Sequence, residues 1–177
     1  KAKTIHSSDF LSQEHMMGYY FPFSMEANYN KTMYVVNKPA TICHELAHLK
    51  GFIYEDEANF IGFLACVSSD DLFFRYSGYM SVLGYVENEF RDSVNHKASA
   101  YFEHPEIARS VYDDDLFLTA EAWEKVEEKA VIQTAVVKKA SNQFTEATLK
   151  LNGVEDGMKS YSRVVQLLLK YYDGILY

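Results

Sequence analysis

Residues 39–71 of the chain read PATICHELAHLKGFIYEDEANFIGFLACVSSDD, and this stretch predicts two helices joined by a short turn. Pro39 suits the first position of a helix, because its missing N–H is one that a helix start leaves unbonded. Gly51 suits the position just after the last helical residue, where a left-handed backbone is common. Acidic residues from Glu55 onward favour the start of a second helix, which we expect to end near Ser68.

The first of these helices carries the pentapeptide HELAH, which predicts a metal-binding face. Residues four apart lie on the same side of an α-helix, so His44 and His48 can bind one cation through two imidazole nitrogens. Glu45 lies one position from His44, which places its carboxylate beside a water at that cation. In zinc hydrolases with an HExxH motif, the two histidines bind Zn²⁺ and the glutamate removes a proton from the water. We therefore assign His44 and His48 as Zn²⁺ ligands and Glu45 as the general base.

A catalytic zinc site needs a third protein ligand and leaves the fourth position to water. The candidates are Glu55, Asp56 and Glu57 on the second helix. We predict Glu57, because it shares a helical face with large apolar residues that should point inward, whereas the two acids before it suit an exposed first turn. In a simpler interpretation, the acidic residues form a solvated helix start and the histidines lie in a polar core. Unpaired charges among apolar neighbours would be costly, however, which favours the metal site.

The whole sequence predicts one mainly helical (α+β) domain over residues 1–177, with a helical metallopeptidase core and a small N-terminal antiparallel strand pair. Residues 1–17 show weak periodicity, and we expect an extended lead-in. Residues 18–36, GYYFPFSMEANYNKTMYVV, predict two short strands joined by a turn at EANYNK. Pro22 indicates an edge strand or a bulge, since proline donates no backbone hydrogen bond.

Helical periodicity continues through the rest of the chain. A long helix is expected to begin after Ser69 or Asp70, and a shorter one near Pro105. Thr119 predicts the N-cap of a helix that extends to residue 152 and is closed by Gly153. The last helix is expected to bury a stripe formed by Val164, Val165, Leu168 and Leu169.

Composition limits the partners of the chain. The net charge is −8 without a block of Lys and Arg, so neither nucleic acid nor an anionic membrane surface is an expected partner. Cys43 and Cys66 form no CxxC pair, and we expect reduced, buried thiols, with a bridge between neighbouring helices as the open alternative. No apolar run is long enough to cross a membrane. Because the chain begins at Lys1, we expect a soluble piece of a longer protein.

These motifs resemble a known class of enzyme. HELAH followed by EDEAN is similar to the gluzincin metallopeptidases, in which HExxH supplies two metal ligands and a glutamate on the next helix supplies the third. The chain also resembles a bacterial domain-of-unknown-function family of proposed membrane-anchored zinc peptidases. That likeness covers most of residues 18–172 and rests on YYFPFSMEANYN, HELAHLKGFIYEDEANFIGFLAC, DDLFFRYSGYMS and LKLNGVEDGMKSYSRVVQLLLKYY.

The resemblance implies a zinc-dependent peptidase domain acting on a peptide or protein. It also implies that membrane helices absent from this chain anchor the full-length protein, with an extracytoplasmic position favoured. By position, His44 and His48 match the imidazole ligands, while Glu45 matches the general base and Glu57 the third ligand. Asn59 stands where the prenyl-protease group has an aspartate that hydrogen-bonds a ligand histidine. An amide can accept that bond, but it lacks the negative charge that raises ligand basicity.

Peptide hydrolysis also needs a donor for the developing oxyanion. Our candidates are Tyr161 and Arg163, two polar residues at the start of the last apolar helix; the alternative is that they form a solvated helix start. The stretch from Tyr20 to Ser24 is a candidate edge strand for pairing with an extended substrate, or else it caps the core.

Two functions follow from the sequence. The first is a zinc-dependent endopeptidase in which Glu45 activates water. The alternative is a non-hydrolytic metal-binding sensor or scaffold, with the helix over residues 119–152 as a surface for a partner.

Overall fold

The computed structural model describes residues 1–140 and 157–175, with the side chains of the last helix described from residue 163 onward. Within these residues the domain is mainly helical with a small mixed sheet near the N-terminus, which confirms the predicted fold class. The strands are β1 (Lys3–Thr4), β2 (Gly18–Phe21) and β3 (Glu26–Tyr29). The helices are α1 (Ser8–Gln13), α2 (Asn37–Leu49), α3 (Glu55–Val67), α4 (Leu72–Ser93), α5 (Ala98–Tyr101), α6 (Arg109–Asp113), α7 (Ala120–Glu128), α8 (helical over 134–140) and α9 (Gly157–Tyr172).

The sheet has the strand order β1–β3–β2, so β2 is an edge strand. β2 runs antiparallel to β3, with Gly18 opposite Tyr29, and β1 pairs with β3 in parallel. An antiparallel strand pair is therefore present as predicted, but its second strand is EANY and not the predicted MYVV. Its turn is formed by residues 22–25 instead of EANYNK, because EANY itself forms β3. Pro22 directly follows β2, a position that an edge strand tolerates.

Residues 1–17 are more regular than predicted, since they contain β1 and α1. Polar side chains hold this segment: Asn30 Nδ2 donates to Ser12 Oγ over 2.9 Å, and the backbone N–H of Lys31 donates to Ser8 Oγ over 3.0 Å. Both serines and Asn30 are fully buried. The segment is thus fixed by buried hydrogen bonds, which an analysis of apolar periodicity does not detect.

The helical hairpin predicted for residues 39–71 is confirmed as α2 and α3, although α2 begins at Asn37, two residues before the predicted start at Pro39. Gly51 follows the C-cap of α2 with a φ of 102°, a left-handed backbone that favours glycine. The two helices approach closely where Gly62 faces His44. A Cβ built on Gly62 would lie 3.0 Å from the backbone nitrogen of His44. The crossing of α2 and α3 therefore lies at the first histidine of HELAH.

The main apolar core joins α3, α4 and α9. Its buried members are Phe63, Val82, Val164 and Leu168. Val165 is also buried, but Leu169, which we predicted to be buried, is 62% exposed. At about 100° per residue, Leu169 lies some 40° beyond Val165 on the helix circumference and outside the arc that faces the core.

Two helix starts lie close to their predicted positions. α4 begins one residue later than expected, because the carboxylate of Asp71, and not Ser69 or Asp70, accepts the backbone N–H of Phe73 over 2.8 Å. The shorter helix expected near Pro105 is α6, which starts four residues after that proline.

The helix predicted for residues 119–152 begins as expected but ends early. Thr119 caps it, with its Oγ1 accepting the backbone N–H of Ala122 over 3.2 Å. α7 then ends at Glu128.

The break after α7 is held by a side chain from α1. Gln13 Nε2 donates to the carbonyl oxygen of Ile132 over 2.8 Å and to Oγ1 of Thr134 over 2.9 Å. A carbonyl engaged in this way favours a bend between α7 and α8. The predicted continuation over residues 141–152, and its end at Gly153, lie outside the described residues.

Among the described residues, no helix combines the length and the apolar character needed to cross a membrane. Cys43 and Cys66 are both free thiols, with Cys66 fully buried.

Candidate metal centre

The two histidines of HELAH lie on one face of α2 with their rings in contact. Nε2 of His44 is 3.0 Å from Nε2 of His48, and the rings meet edge to face with their centroids 4.6 Å apart. Nδ1 of His48 lies 2.7 Å from the carbonyl oxygen of Phe52, which makes a hydrogen bond when the proton is on Nδ1. That tautomer leaves the Nε2 lone pair of His48 available for a cation.

The carboxylate that meets both imidazoles belongs to Glu55, and the predicted ligand Glu57 lies elsewhere. Oε2 of Glu55 is 3.3 Å from Nε2 of His44, and Oε1 is 3.5 Å from Nε2 of His48. One donor atom from each of the three residues lies within 4.8 Å of the others, so they could hold a metal ion together. Glu57 is exposed and belongs to no such group among the described residues. The structure therefore brings Glu55, and not the predicted Glu57, to the two histidines.

Small residues of α3 explain why Glu55 takes this position. Of the four buried residues of α3, Ala58, Gly62 and Cys66 are small and lie four positions apart, and the fourth is Phe63. Glu55 precedes Ala58 by three residues and lies on the same side, next to α2. Glu57 shares its side with Phe60 and Leu64, as predicted, but these residues pack against the core cluster and not against the histidines. The prediction of Glu57 rests on the large apolar residues pointing toward the site, whereas the close crossing with α2 requires small residues on that side.

The charges of the three side chains support one another. Hydrogen bonds from His44 and His48 hold the pKa of the Glu55 carboxyl well below its usual range. The Glu55 carboxylate in turn raises the pKa of His48, against the lowering effect of burial. Two imidazole nitrogens and one carboxylate are the donor set of many catalytic Zn²⁺ sites. The residues therefore fit a zinc ion by both chemistry and position.

Glu45 is buried beside the ligands, with only 5% of its surface exposed. Gly18 of β2 allows this, because a Cβ there would lie 2.8 Å from Oε1 of Glu45 and 2.8 Å from the carbonyl oxygen of Asn28. Burial raises the pKa of Glu45 to about 7, although the charges of both histidines lower it.

Two buried polar atoms at this site lack a hydrogen-bond partner among the described residues: Oε2 of Glu45 and Nδ1 of His44. Leaving a buried carboxylate oxygen unpaired is costly, so such an atom is rare in a purely structural role. Its position indicates a site prepared for a water or a ligand.

Two cavities meet at Glu45, and both are lined by Gly18, His44 and Glu45. The first, of about 660 Å³, contains the three candidate ligands, with Tyr20 and Ile53 at its wall. We call it the ligand cavity. The second, of about 440 Å³, lies between α2 and α4, and we call it the α4 cavity. Both volumes lie in the range of small-molecule and peptide sites.

The two residues predicted to stabilise the oxyanion lie on α9. The guanidinium of Arg163 is 3.9 Å from Oδ2 of Asp56, the residue after Glu55, and its side chain is 45% exposed. α9 is thereby brought beside the first turn of α3. The side chain of Tyr161 lies outside the described residues. The roles of both residues stay predictions.

Asn59 does not contact a ligand histidine in the way that the resemblance implies. Its Nδ2 donates to the hydroxyl oxygen of Tyr85 over 3.4 Å, while Nδ1 of His44 has no partner among the described residues. Asn59 and His44 nevertheless line the same α4 cavity.

Glu55 was one of the three predicted candidates for the third ligand but was assigned to an exposed first turn, and Gly18 was not predicted to lie at the site. The spacing of Ala58 and Gly62 was the available signal for Glu55, because small residues four apart mark a close helix crossing. No local pattern marks Gly18, since its partner Glu45 lies in another element.

The fold and the site define a mainly helical domain with a candidate His₂Glu metal centre on a helical hairpin. The model of a family described as "Protein of unknown function (DUF3810)" matches residues 1–169, so the chain belongs to that family. No curated protein and no solved structure matches the chain.

Proposed function

We propose that this chain is a zinc-dependent metallopeptidase that hydrolyses peptide bonds in the ligand cavity. The observation that carries the proposal is the convergence of His44, His48 and Glu55 within 4.8 Å, directly beside a buried glutamate. A structural ion pair would explain the contact between Glu55 and the histidines. It would not explain why Glu45 is buried next to them with an unpartnered oxygen.

In this proposal His44, His48 and Glu55 hold the zinc ion. When bound, the ion supplies a Lewis acid that polarises the substrate carbonyl and lowers the pKa of water. The imidazole of His48 is oriented by its contact with the carbonyl oxygen of Phe52 at 2.7 Å, as metal-binding histidines generally are by a second partner.

Glu45 acts as the general base and then as the general acid. Its carboxylate takes a proton from a water in the cavity and delivers it to the nitrogen of the leaving amine. The close contact with Gly18 holds the side chain in place, and burial excludes bulk water from its carboxylate. Tyr161 and Arg163 are the proposed donors to the oxyanion.

The edge strand β2 supports a peptide as the substrate. Within the described residues β2 pairs only with β3, so its outer edge can form main-chain hydrogen bonds with an extended chain. Gly18 and Tyr20 of this strand line the ligand cavity. A peptide along β2 would therefore pass beside Glu45 and the candidate ligands. Anchoring of the full-length protein in a membrane, on the extracytoplasmic side, is part of the proposal and rests on the family resemblance.

The test compares Glu45→Gln with Glu57→Gln after loading both with zinc. Glu45→Gln keeps the size of the side chain but cannot take a proton, so we expect bound zinc to be unchanged and peptide hydrolysis to fall by about 10²–10⁴-fold. Glu57→Gln removes a nearby exposed carboxylate and should leave both unchanged. The measurements are bound zinc by elemental analysis and cleavage of an unfolded protein substrate.

Three outcomes would contradict the proposal. Undiminished hydrolysis by Glu45→Gln would remove the assigned base. A wild-type chain that binds no zinc would remove the metal centre. Stoichiometric zinc without hydrolysis in the wild type would favour the alternative of a non-hydrolytic metal-binding module.

A further inference from the structure

The α4 cavity, of about 440 Å³, is not needed to hold a metal ion, yet it reaches the general base. It lies between α2 and α4 and shares Gly18, His44 and Glu45 with the ligand cavity. A peptide whose cleaved bond lies at Glu45 therefore has this second space within reach of a neighbouring side chain.

Polar and apolar side chains both line the α4 cavity, and the apolar ones are Met17, Ala40, Phe63 and Met80. Of these, Ala40 is 7% exposed and Phe63 is 1% exposed. A side chain that enters would exchange water for apolar contacts, which favours an apolar group.

Most polar side chains on the wall already have a partner within the protein. The hydroxyl oxygen of Ser77 accepts the backbone N–H of Ala40 over 3.0 Å. The hydroxyl of Ser81 donates to the carbonyl oxygen of Gly78 over 2.7 Å. Because these groups are engaged, they give little advantage to a polar guest over an apolar one.

Gly84 gives the α4 cavity part of its width. It lies inside α4, where glycine is less favourable than alanine, and a Cβ built there would meet no atom of the described residues within 4 Å. By contrast, a Cβ on Gly78 of the same helix would lie 2.7 Å from Cβ of Cys66, so packing explains that glycine. Among the described residues no packing contact accounts for Gly84, which lies exposed at the rim of the α4 cavity, where a side chain would narrow the cavity.

The charges at the cavity disfavour an acidic guest. Glu45 and Asp115 both line it, and no Lys or Arg is among the described residues of its wall. A carboxylate placed there would face two acidic side chains without a cation to balance it.

We propose that the α4 cavity is a specificity subsite that receives a bulky apolar side chain, aromatic or long aliphatic, from the substrate residue next to the cleaved bond. The preferred substrates are thus peptides with such a residue at that position, and peptides with an acidic residue there are excluded. This inference rests on the proposed metallopeptidase function.

The experiment measures binding of amino-acid hydroxamates to the zinc-loaded full chain by calorimetry. A hydroxamate binds to zinc without being hydrolysed, so the side-chain preference is read independently of catalysis. We expect the phenylalanine hydroxamate to bind at least about tenfold tighter than the alanine hydroxamate, because burial of an aromatic side chain favours binding to this extent. The glutamate hydroxamate should bind more weakly than both.

Gly84→Leu should fill the cavity and remove the preference for phenylalanine, while binding of the alanine hydroxamate stays unchanged. Gly84→Ala adds one methyl group in open space and should reduce the preference partly, which keeps the test valid if the leucine variant folds poorly. Val86→Leu is the matched control, since Val86 is exposed on the same helix and lies outside the cavity wall.

The subsite is overturned if the wild type binds the phenylalanine and alanine hydroxamates equally, if it binds neither, or if the preference survives in Gly84→Leu. Hydrolysis of peptides without any side-chain preference would leave the metallopeptidase standing and remove the subsite. A preference that is lost in Gly84→Leu, in a chain that hydrolyses no peptide, would keep the subsite and remove the proposed peptidase.

Discussion

Residues 18–67, from β2 to α3, bury several polar side chains, whereas residues 98–133, from α5 to α7, bury only Leu118 and Val126. In the first segment Asn30 is fully buried and Glu45 is 5% exposed. In the second, α5 and α6 contain no buried residue, and Val131 is 99% exposed. Residues 18–67 thus contain both tightly constrained contacts and the buried polar groups that are most costly to remove from water.

This difference teaches where sequence changes should matter. In residues 18–67 glycines touch catalytic candidates and a buried carboxylate has an unpartnered oxygen, so a small displacement alters the site. Features of this kind lower the stability of the fold locally. They are usual at functional sites, and packing elsewhere in the molecule must offset them. Residues 98–133 have few buried groups to disturb, and substitutions there should act mainly on local helix stability.

The largest expected difference comes from the same substitution at one position in each region. Phe63, in α3, is 1% exposed in the core cluster, so Phe63→Ala should lower the free energy of unfolding by about 3–5 kcal/mol. Phe102 is 78% exposed, so Phe102→Ala should change it by no more than about 0.5 kcal/mol. Urea unfolding of both variants and the wild type gives the three free energies of unfolding. Comparable losses at the two positions would break the contrast between the regions.

The second prediction compares the zinc affinity of variants at Glu55 and Glu57, two acidic residues at the start of α3. Glu55→Gln removes a proposed ligand, so zinc affinity should fall by more than the roughly 10–100-fold loss typical of changing a residue that only supports a ligand. Glu57→Gln should leave the affinity at the wild-type level, because Glu57 is exposed and outside the donor group. Competition with a chromogenic chelator gives both constants. The reverse result would restore Glu57 as the third ligand.

The third prediction compares two glycine-to-alanine substitutions, each of which adds one methyl group, one beside Glu45 and one in α4. Gly18→Ala places a Cβ 2.8 Å from Oε1 of Glu45, so it should destabilise the fold by about 1–3 kcal/mol and reduce hydrolysis. The Cβ of Gly84→Ala meets no atom within 4 Å in the part of the chain that the structure describes, so this change should stabilise α4 by about 0.5–1 kcal/mol. Thermal unfolding and peptide cleavage are the measurements. A neutral Gly18→Ala would show that Glu45 can move away without consequence.

The sequence predicted those parts of the fold whose causes are local. Pro39, Gly51 and the acids after it lie inside the hairpin that they define, and the four-residue spacing of His44 and His48 requires no knowledge of other elements. For this reason the hairpin and the facing histidines were predicted correctly.

The parts that the sequence did not predict depend on distant partners. The end of α7 is held by Gln13, which is 119 residues from Ile132 in the chain. The sheet includes EANY because β1 and β2 both pair with it, although MYVV has at least as strong a strand composition. Glu55, and not Glu57, meets the histidines because the close helix crossing places small residues of α3 against α2, whereas the size of the apolar residues indicated the other side.

The smallest expected effect tests whether the 98–133 segment is held by local helix signals. Thr119 Oγ1 accepts the backbone N–H of Ala122 over 3.2 Å at the start of α7. Thr119→Ala removes this cap and should lower the free energy of unfolding by about 1 kcal/mol, while Thr119→Ser keeps the hydroxyl and should cost much less. Urea unfolding measures the global change, and hydrogen exchange at Ala122 reports whether α7 opens first. Zinc affinity should be the same in all three proteins, because no residue of the metal centre lies in this segment. A loss of zinc binding in Thr119→Ala would show that the two regions are coupled and that the constraint around Glu45 extends beyond residues 18–67.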